Sequence, residues 1–277
     1  MQLQFCPLFS GSSGNSVYVG TDNTKILIDA GLSGSKITGE LAKIGVKPDE
    51  LSAILVTHEH ADHIAGVGVL ARRYRLPVYA STGTWAAMRD KIGAVDASQM
   101  IEFETGEDFS IGELNIRPFP TSHDAADPVG YAVCAGRNMA AVATDLGCIR
   151  EGWMAEVEDA DVLLLESNHD VNMLSAGRYP YELKRRILSK HGHLSNDDAG
   201  KAAAELVRRG VRAIMLGHLS PENNVPELAY ESVAYILKEN GFEPGRDVIL
   251  SVARRDGHSE MFSVGGEDEK GHAVVRL

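Results

Sequence analysis

The hexapeptide HEHADH, residues 58–63, places three histidines and an aspartate directly after an apolar segment, AILVT, that has the composition of a buried β-strand. In an extended chain the side chains at i and i+2 point the same way, so His58 and His60 can bind one metal ion. If the chain then turns, Asp62 and His63 can face a second ion. With only ten histidines in 277 residues, this clustering indicates a metal site at a strand end rather than a polar loop.

The spacing differs from the helical His-Glu-x-x-His motif, which places its two histidines at i and i+4. Imidazole and carboxylate ligands suit zinc, and also manganese or iron. Two ions roughly 3.5–4 Å apart can share a hydroxide and stabilise both the attacking and the leaving oxygen of a substrate. The motif therefore predicts a dinuclear, metal-dependent hydrolase that acts on an ester bond.

Short apolar segments rich in β-formers alternate with helical segments along the chain, in two successive mixed β/α halves. No Pro/Gly/Ser-rich linker separates the halves. We therefore expect one α/β domain over residues 1–277, with two packed β-sheets and helices on both outer faces. The candidate polar residues follow strand ends, where they can converge without burial in the core.

Composition excludes several classes of protein. The N-terminus has no signal-peptide pattern, and no apolar run approaches the roughly 18 residues of a membrane helix. The cysteines, Cys6, Cys134 and Cys148, are few and far apart, which does not indicate a disulfide framework. These features predict a cytoplasmic protein without a membrane partner and leave the oligomeric state open. The formal charge of -12 argues against nonspecific coating of nucleic acid, but not against an enzyme whose bound metals add positive charge.

The pattern H-x-H-x-D-H after a β-strand resembles the signature of the metallo-β-lactamase-fold hydrolases. Three later residues match ligand positions of that family in order: His123 in PTSH, Asp145 in ATDLG and His218 in MLGHLS. Asp29, in ILIDAG, matches an aspartate that supports the metal loop without binding the metal. Each of these residues is a weak signal by itself, and their order and strand-end positions strengthen it.

The resemblance implies a four-layer αββα sandwich with two mixed β-sheets, in agreement with the pattern of segments. It also implies two divalent metal ions, zinc or manganese, with iron as a further option. The implied ligands form two sets that share one aspartate: His58, His60, His123 and Asp145 for one ion, and Asp62, His63, Asp145 and His218 for the other.

Some branches of the family fit poorly. Flavodiiron-type members carry a glutamate where this chain has His60, which argues against reduction of oxygen or NO. Class B β-lactamases are usually secreted and often use a cysteine ligand, whereas Asp145 stands at the bridging position here. The chain is too short for the inserted cap domain of the β-CASP nucleases, and it has no long flexible arm of the kind that grips tRNA in RNase Z.

The segment SGSSGN, residues 10–15, joins two predicted strands. Glycines with small hydroxyls and an amide can present backbone and side-chain donors to a phosphate, although such segments are also common as flexible loops. We expect Ser12, Ser13 and Asn15 to contact a phosphate of the substrate.

Two further segments follow predicted strands or begin a helix. ESNHD contains His169, and HGHLSN begins a helix that Ser195 caps. A capped helix N-terminus can bind an anion, and His193 can donate a proton to a leaving group, whereas capping alone would also explain Ser195 and Asn196. Together, SGSSGN, ESNHD, GHLSN and GHLSPEN resemble the WalJ/YycJ group of nucleases within the family, which implies 5′-to-3′ exonuclease action on DNA.

We therefore predict a phosphodiesterase or nuclease in which a metal-bridged hydroxide attacks phosphorus in line. Asp62 would orient or deprotonate the nucleophile, and His193, ahead of His169, would protonate the leaving oxygen. The substrate would be a nucleic acid or another phosphodiester, and the choice of DNA rests on resemblance alone. The predicted substrate-binding residues are Ser12, Ser13, Asn15, His169, Ser195 and Asn196.

Two alternatives remain at this stage. A small-molecule hydrolase, such as a thioesterase of the glyoxalase II type, a lactonase or a cyclic phosphodiesterase, would use the same metal cage with a different pocket wall. A non-enzymatic binding protein would usually have lost ligands, and all seven candidates are present here. The Ser/Gly/Asn loop and the GHLSN helix start favour a phosphate substrate.

Overall fold

Two β-sheets lie face to face in the computed structural model, which describes residues 1–266 and 273–277. The strands of the first sheet are, in spatial order, β15 (Ala273–Arg276), β14 (Phe262–Gly266), β1 (Leu3–Phe9), β2 (Ser16–Gly20), β3 (Lys25–Ile28), β4 (Ala53–Leu55), β5 (Val78–Ser81) and β6 (Met100–Phe103). The strands of the second sheet are β13 (Ile249–Val252), β12 (Ala213–Gly217), β11 (Val162–Glu166), β10 (Asn138–Ala143), β9 (Val129–Ala135), β8 (Leu114–Pro120) and β7 (Phe109–Ile111).

Both sheets are mixed. In the first sheet, β1, β2 and β3 pair antiparallel, and β3, β4, β5 and β6 pair parallel. In the second sheet, β7 to β10 pair antiparallel and β10 to β13 pair parallel. Each sheet thus contains a run of parallel strands whose carboxyl ends lie at one edge.

Helices cover the outer face of each sheet. They are α1 (Gly34–Lys43), α2 (Ala61–Ile64), α3 (Val67–Tyr74), α4 (Thr82–Met88), α5 (Glu151–Glu156), α6 (Val171–Ala176), α7 (Tyr181–Ile187), α8 (Asn196–Arg208) and α9 (Pro226–Glu239), with short 3₁₀ helices at Pro48–Glu50 and Ala97–Gln99. Within the described residues, no helix combines the length and the hydrophobicity that crossing a membrane would require.

Strand side chains alternate between two apolar environments, because successive residues of a strand point to opposite faces of the sheet. In β11, Val162 and Leu164 pack between the two sheets, whereas Leu163 and Leu165 pack against helices. On the opposite side of the molecule, a third apolar cluster joins the first sheet to α1, α3 and α4. Three apolar interfaces require four layers, so the predicted αββα sandwich of two mixed sheets is confirmed.

Polar residues follow the carboxyl ends of the parallel strands, at one edge of the sandwich. Asp29 follows β3, Asp145 lies just beyond β10, and His218 follows β12. All three adopt positive φ angles, of 61°, 56° and 55°. This backbone conformation is uncommon outside glycine, although it is enriched for Asp and His, and it turns the chain sharply where the strand ends.

A buried carboxylate joins α1 to the segment that precedes β14. Glu40 Oε2 accepts hydrogen bonds from the backbone N–H of His258 (3.0 Å) and from its Nδ1 (2.8 Å). Lys43 Nζ lies 2.6 Å from Glu40 Oε1. Burial by itself would raise the pKa of Glu40, but the hydrogen bonds from Lys43 and His258 outweigh it and lower the pKa to about 2.

We expect Glu40→Gln to lower the free energy of unfolding at pH 7 by about 1–2 kcal/mol, because it weakens hydrogen bonds to a charged group. The folded-state pKa lies below the ordinary value, so the contribution of the carboxylate is complete above about pH 4.5. It disappears as the pH falls toward 2. Denaturant unfolding of both proteins between pH 7 and pH 3 measures the difference.

The exposed Glu239 at the end of α9 provides the control for this pH series, since Glu239→Gln should change stability little at any pH. A difference between wild type and Glu40→Gln that stayed constant from pH 7 to pH 3 would contradict the assignment.

Candidate metal centre

Three imidazole nitrogens converge beside the end of β4. His58 Nε2 lies 3.0 Å from His60 Nδ1, which in turn lies 3.3 Å from His123 Nε2. His123 comes from the loop after β8. Ligand atoms 2.0–2.1 Å from one tetrahedral ion lie about 3.4 Å from each other, so this spacing is that of a ligand set for a divalent cation.

A second group lies next to the first. His60 has an extended backbone, and α2 begins at the next residue, which turns Asp62 and His63 away from the direction of β4. Asp62 Oδ2 lies 3.5 Å from His63 Nε2 and 3.7 Å from His218 Nε2. These distances again resemble the edges of a coordination tetrahedron, so the three side chains form a second potential ligand set.

Asp145 lies between the two groups. Its Oδ1 is 3.6 Å from His123 Nε2, and its Oδ2 is 3.4 Å from His63 Nε2. One carboxylate therefore reaches a member of each group, as a bridging ligand would. All seven residues named from the sequence converge in this cluster.

Two ligand atoms of the cluster make no hydrogen bond although they are buried, namely Asp145 Oδ2 and His218 Nε2. A buried polar atom without a partner typically costs roughly 1–3 kcal/mol, so most such atoms in proteins are satisfied. Both atoms belong to the nitrogen and oxygen donor set described above. The residues present therefore fit a divalent metal centre.

Asp29 supports the loop that carries the HEHADH motif, residues 58–63, through hydrogen bonds at both of its carboxylate oxygens. Its Oδ1 accepts a hydrogen bond from the backbone N–H of Thr57 (2.8 Å), and its Oδ2 lies 2.7 Å from His63 Nδ1. Because Nδ1 of His63 is engaged in this way, Nε2 is the nitrogen that faces the cluster. The geometry is that of a supporting residue, as the sequence predicts for Asp29.

Glu166 plays the equivalent part in the second sheet, and the sequence analysis did not single it out. It ends β11 and is fully buried. Its Oε1 lies 2.7 Å from His218 Nδ1 and 2.8 Å from His193 Nδ1, and its Oε2 accepts from the backbone N–H of Leu146 and Leu194. A carboxylate ending an apolar strand, as Asp29 follows β3, is the sequence signal that would have identified it.

The charges of the cluster depend on burial and on pairing. Burial alone would raise the pKa of Asp145, but the surrounding histidines, His218 first, hold it well below its usual range. Burial lowers the pKa of His58 well below its ordinary value, and His63 lowers it further. Asp145 is therefore a carboxylate and His58 a neutral imidazole, which are the forms that bind metals.

Glu166 and His218 form a mutually stabilised pair. Burial would raise the pKa of Glu166, but its two histidine partners, His193 first, lower it to about 2. Burial would lower the pKa of His218, but Asp145, Asp62 and Glu166 raise it to about 10. Glu166 is thus an anion that accepts hydrogen bonds from both imidazoles.

The SGSSGN loop packs against the cluster. Asn15 is buried: its Nδ2 lies 3.1 Å from His63 Nε2, and its Oδ1 accepts from the backbone N–H of Gly11 (3.0 Å). Ser12 and Ser13 are exposed at the tip. The structure thus leaves the two serines open to a ligand, whereas Asn15 is buried and hydrogen-bonded within the protein.

Three other residues expected to contact substrate are also buried. Ser195 caps α8, its Oγ accepting from the backbone N–H of Asp198 (3.1 Å). Asn196 Oδ1 accepts from Ser167 Oγ (2.7 Å), and His169 is 1% exposed. The capping alternative therefore accounts for Ser195, and the hydrogen bonds of Asn196 are within the protein.

A cavity of about 170 Å³ adjoins the cluster at His193. The His193 ring centroid lies 5.0 Å from that of His123 and 5.3 Å from that of His218, and the side chain is 18% exposed. The lining of the cavity combines polar and apolar side chains. Its lining residues are Ser12, Asn168, Tyr179, Leu183, Arg186, Ile187, Gly192, His193 and Ser220.

The fold and the site define a class of protein, and comparison with known proteins agrees. Residues 24–219 match the β-lactamase superfamily domain, and the chain belongs to that superfamily. Over 88% of its length the chain is 45% identical to exodeoxyribonuclease YycJ of Bacillus anthracis, of which it covers 93%. It is 46% identical over 87% of its length to exodeoxyribonuclease WalJ of Streptococcus pneumoniae, of which it covers 90%.

A solved structure shows the same fold. The metallo-β-lactamase fold protein YhfI from Bacillus subtilis superposes with a TM-score of 0.70 at 17% identity, covering 93% of this chain and 99% of that one. The family resemblance predicted from the HEHADH motif is confirmed, and the fold implies divalent metal ions at the cluster.

We expect Asp145→Asn to abolish stable metal binding, because the substitution removes the charge that both ligand groups share while keeping the shape of the side chain. Metal analysis after dialysis of protein loaded with Mn²⁺ or Zn²⁺ measures occupancy. The wild-type melting temperature should fall on addition of EDTA, and that of the variant should not respond. A variant that retained the wild-type metal content would refute the bridging role.

We expect Glu166→Gln to weaken metal affinity about 10–100-fold, the usual effect of losing the partner of a ligating histidine. Titration with Mn²⁺ followed by calorimetry measures this change. The exposed Glu231 of α9 offers a matched control, since Glu231→Gln should bind metal like wild type. Equal affinities of Glu166→Gln and wild type would show that His218 needs no carboxylate partner.

Proposed function

We propose that this protein is a metal-dependent exonuclease that degrades DNA in the 5′-to-3′ direction. One observation carries the proposal: two ligand groups bridged by Asp145 lie beside an exposed Ser12–Ser13 loop and a small cavity. The relatives named as exodeoxyribonucleases match this chain at 45–46% identity over nearly their whole length, which supports the choice of substrate.

We propose that the cluster holds two divalent ions, with manganese and zinc both suited to its imidazole and carboxylate donors. His58, His60, His123 and Asp145 would hold one ion, and Asp62, His63, Asp145 and His218 the other. Bound ions of this kind supply a nucleophilic water at neutral pH and neutralise charge on the phosphate.

We assign to Asp62 the orientation of the attacking water. Its side chain is 26% exposed, unlike the fully buried His63 beside it. Burial would raise the pKa of Asp62, but the neighbouring imidazoles of His63 and His218 hold it far below its usual range. A carboxylate with so low a pKa is a weak base, so we assign it the role of hydrogen-bond acceptor rather than that of proton acceptor.

We assign to His193 the protonation of the leaving oxygen. Its Nδ1 is held by Glu166, which leaves Nε2 as the ring nitrogen free to meet a substrate in the adjoining cavity. His169 is the weaker candidate because it is buried. The Glu166–His193 pair thus resembles other arrangements in which a carboxylate fixes the orientation and tautomer of a catalytic imidazole.

The surroundings of the cavity suit a polyanion. Lys184, Arg185 and Arg186 lie in α7, and Arg186 lines the cavity. Ser12 contributes a hydroxyl on the other side. These groups would attract a sugar–phosphate backbone to a protein whose formal charge is -12, and the metal ions would add to the attraction.

We expect purified protein with Mn²⁺ to release nucleotides from single- or double-stranded DNA labelled at the 5′ end. The same assay with 3′-labelled DNA establishes polarity. Hydrolysis of S-lactoylglutathione without any release of nucleotides from DNA would overturn the proposed function in favour of a small-molecule hydrolase.

We expect His193→Ala to lower kcat on DNA roughly 10²–10⁴-fold, the range for loss of a general acid. On bis-p-nitrophenyl phosphate the loss should be much smaller, because p-nitrophenolate leaves without protonation. His191→Ala, at the exposed histidine two residues earlier, is the control and should retain activity. Equal losses on both substrates would exclude the general-acid role.

A further inference from the structure

Arg255 lies in the loop between β13 and β14, outside the residues that match the superfamily domain. Its Nη2 donates to the backbone carbonyl of Leu219 at 3.4 Å. Its Nε is buried and makes no hydrogen bond. Among the residues that the structure describes, no carboxylate forms an ion pair with it. The guanidinium therefore retains donors and an unneutralised positive charge.

The two segments that Arg255 contacts both belong to the site. Leu219 directly follows the candidate ligand His218, and Gly11 directly precedes the exposed Ser12. Gly11 and Leu219 form a parallel β-bridge, so the serine loop and the histidine loop are joined at this point. Arg255 thus borders the junction of the metal centre with the SGSSGN loop.

Gly11 makes room for this arginine. A Cβ atom added at Gly11 would lie 3.2 Å from Arg255 Cγ and 3.4 Å from Arg255 Nε. The first distance is shorter than an ordinary van der Waals contact, and the second is at its lower limit. The first glycine of SGSSGN therefore has a steric role in seating the guanidinium, besides any role in the loop itself. This contact explains why a residue of the C-terminal segment lies against the N-terminal loop.

The surrounding charge distribution separates Arg255 from Arg186. Arg186, in the wall of the cavity, is paired with Asp124, which itself lies 3.4 Å from the candidate ligand His123. Asp124 offsets part of the charge of Arg186, whereas Arg255 has no such carboxylate partner among the described residues. An arginine with free N–H donors is well suited to a phosphate, because its planar fork can donate two parallel hydrogen bonds.

We propose that Arg255 binds a backbone phosphate of the DNA next to the scissile one and thereby positions the strand over the metal centre. The inference rests on the proposed function, since it needs a substrate with more than one phosphate. A small diester carries no neighbouring phosphate, so its hydrolysis is independent of Arg255. DNA is the substrate class on which the residue acts.

The test compares Arg255→Ala and Arg255→Lys with Arg254→Ala. Arg254 is exposed beside a different cavity, and only its main chain contacts Ser10 and Ser259, so its side chain provides a matched control. Binding of a fluorescent single-stranded phosphorothioate oligonucleotide, which resists hydrolysis, is measured by anisotropy on the Mn²⁺-loaded protein over a range of salt concentrations. Hydrolysis of DNA and of bis-p-nitrophenyl phosphate is measured with Mn²⁺.

We expect Arg255→Ala to raise the Kd for DNA about tenfold. The slope of log K against the logarithm of salt concentration should become shallower by about one, because one phosphate contact is lost. Its kcat/KM on the small diester should match wild type. Arg255→Lys should keep the wild-type salt dependence and lose less affinity than Arg255→Ala, because lysine keeps the positive charge but lacks the planar pair of N–H donors. Arg254→Ala should behave like wild type in each assay.

Two results would overturn the inference. One is unchanged DNA binding in Arg255→Ala, and the other is an equal loss of activity on DNA and on the small diester, which would assign the residue to the scaffold of the metal centre. Failure of the proposed function has a different outcome, because wild-type protein would then hydrolyse the small diester and neither bind nor degrade DNA.

Discussion

Buried carboxylates that hold imidazole rings are the interaction on which the rest of this site depends. Asp29 fixes Nδ1 of His63, and Glu166 fixes Nδ1 of His218, so each ring presents Nε2 to the cluster. Asp145, buried between the two groups, requires positive charge nearby, which protonated histidines or bound cations provide. The arrangement therefore favours cation binding before any substrate arrives.

The sandwich supplies these carboxylates because both sheets contain parallel strands that end at one edge. β11 is apolar on both faces, since one face packs on the other sheet and one on helices. The first position where a polar side chain is tolerated is the strand end, where Glu166 lies. Positive φ angles at Asp29, Asp145 and His218 then turn the chain, at a typical cost of about 1–3 kcal/mol each, and aim the side chains inward.

The fold was predictable because short apolar segments rich in β-formers, alternating with helical segments, allow few layered architectures. The cluster was predictable because His58 to His63 are adjacent in sequence, and the resemblance supplied the distant residues. The position of Glu166 at the end of an apolar strand could have marked it as a supporting carboxylate, but its contacts with His193 and His218 were not predictable, because sequence spacing does not show them. Ser195 and Asn196 were expected to meet substrate because helix capping and phosphate binding use the same residue types.

One carboxylate, that of Glu166, connects the candidate metal centre to the proposed proton donor. Glu166 Oε1 contacts both His218, a candidate metal ligand, and His193, the proposed proton donor. A single buried oxygen atom therefore couples the orientations of the two imidazole rings. The lining of the adjoining cavity comes instead from α7 and from several loops. Because a fold and its function are separable, residues of the cavity lining can differ while the buried cage stays the same, and the same cage can then serve a different ester.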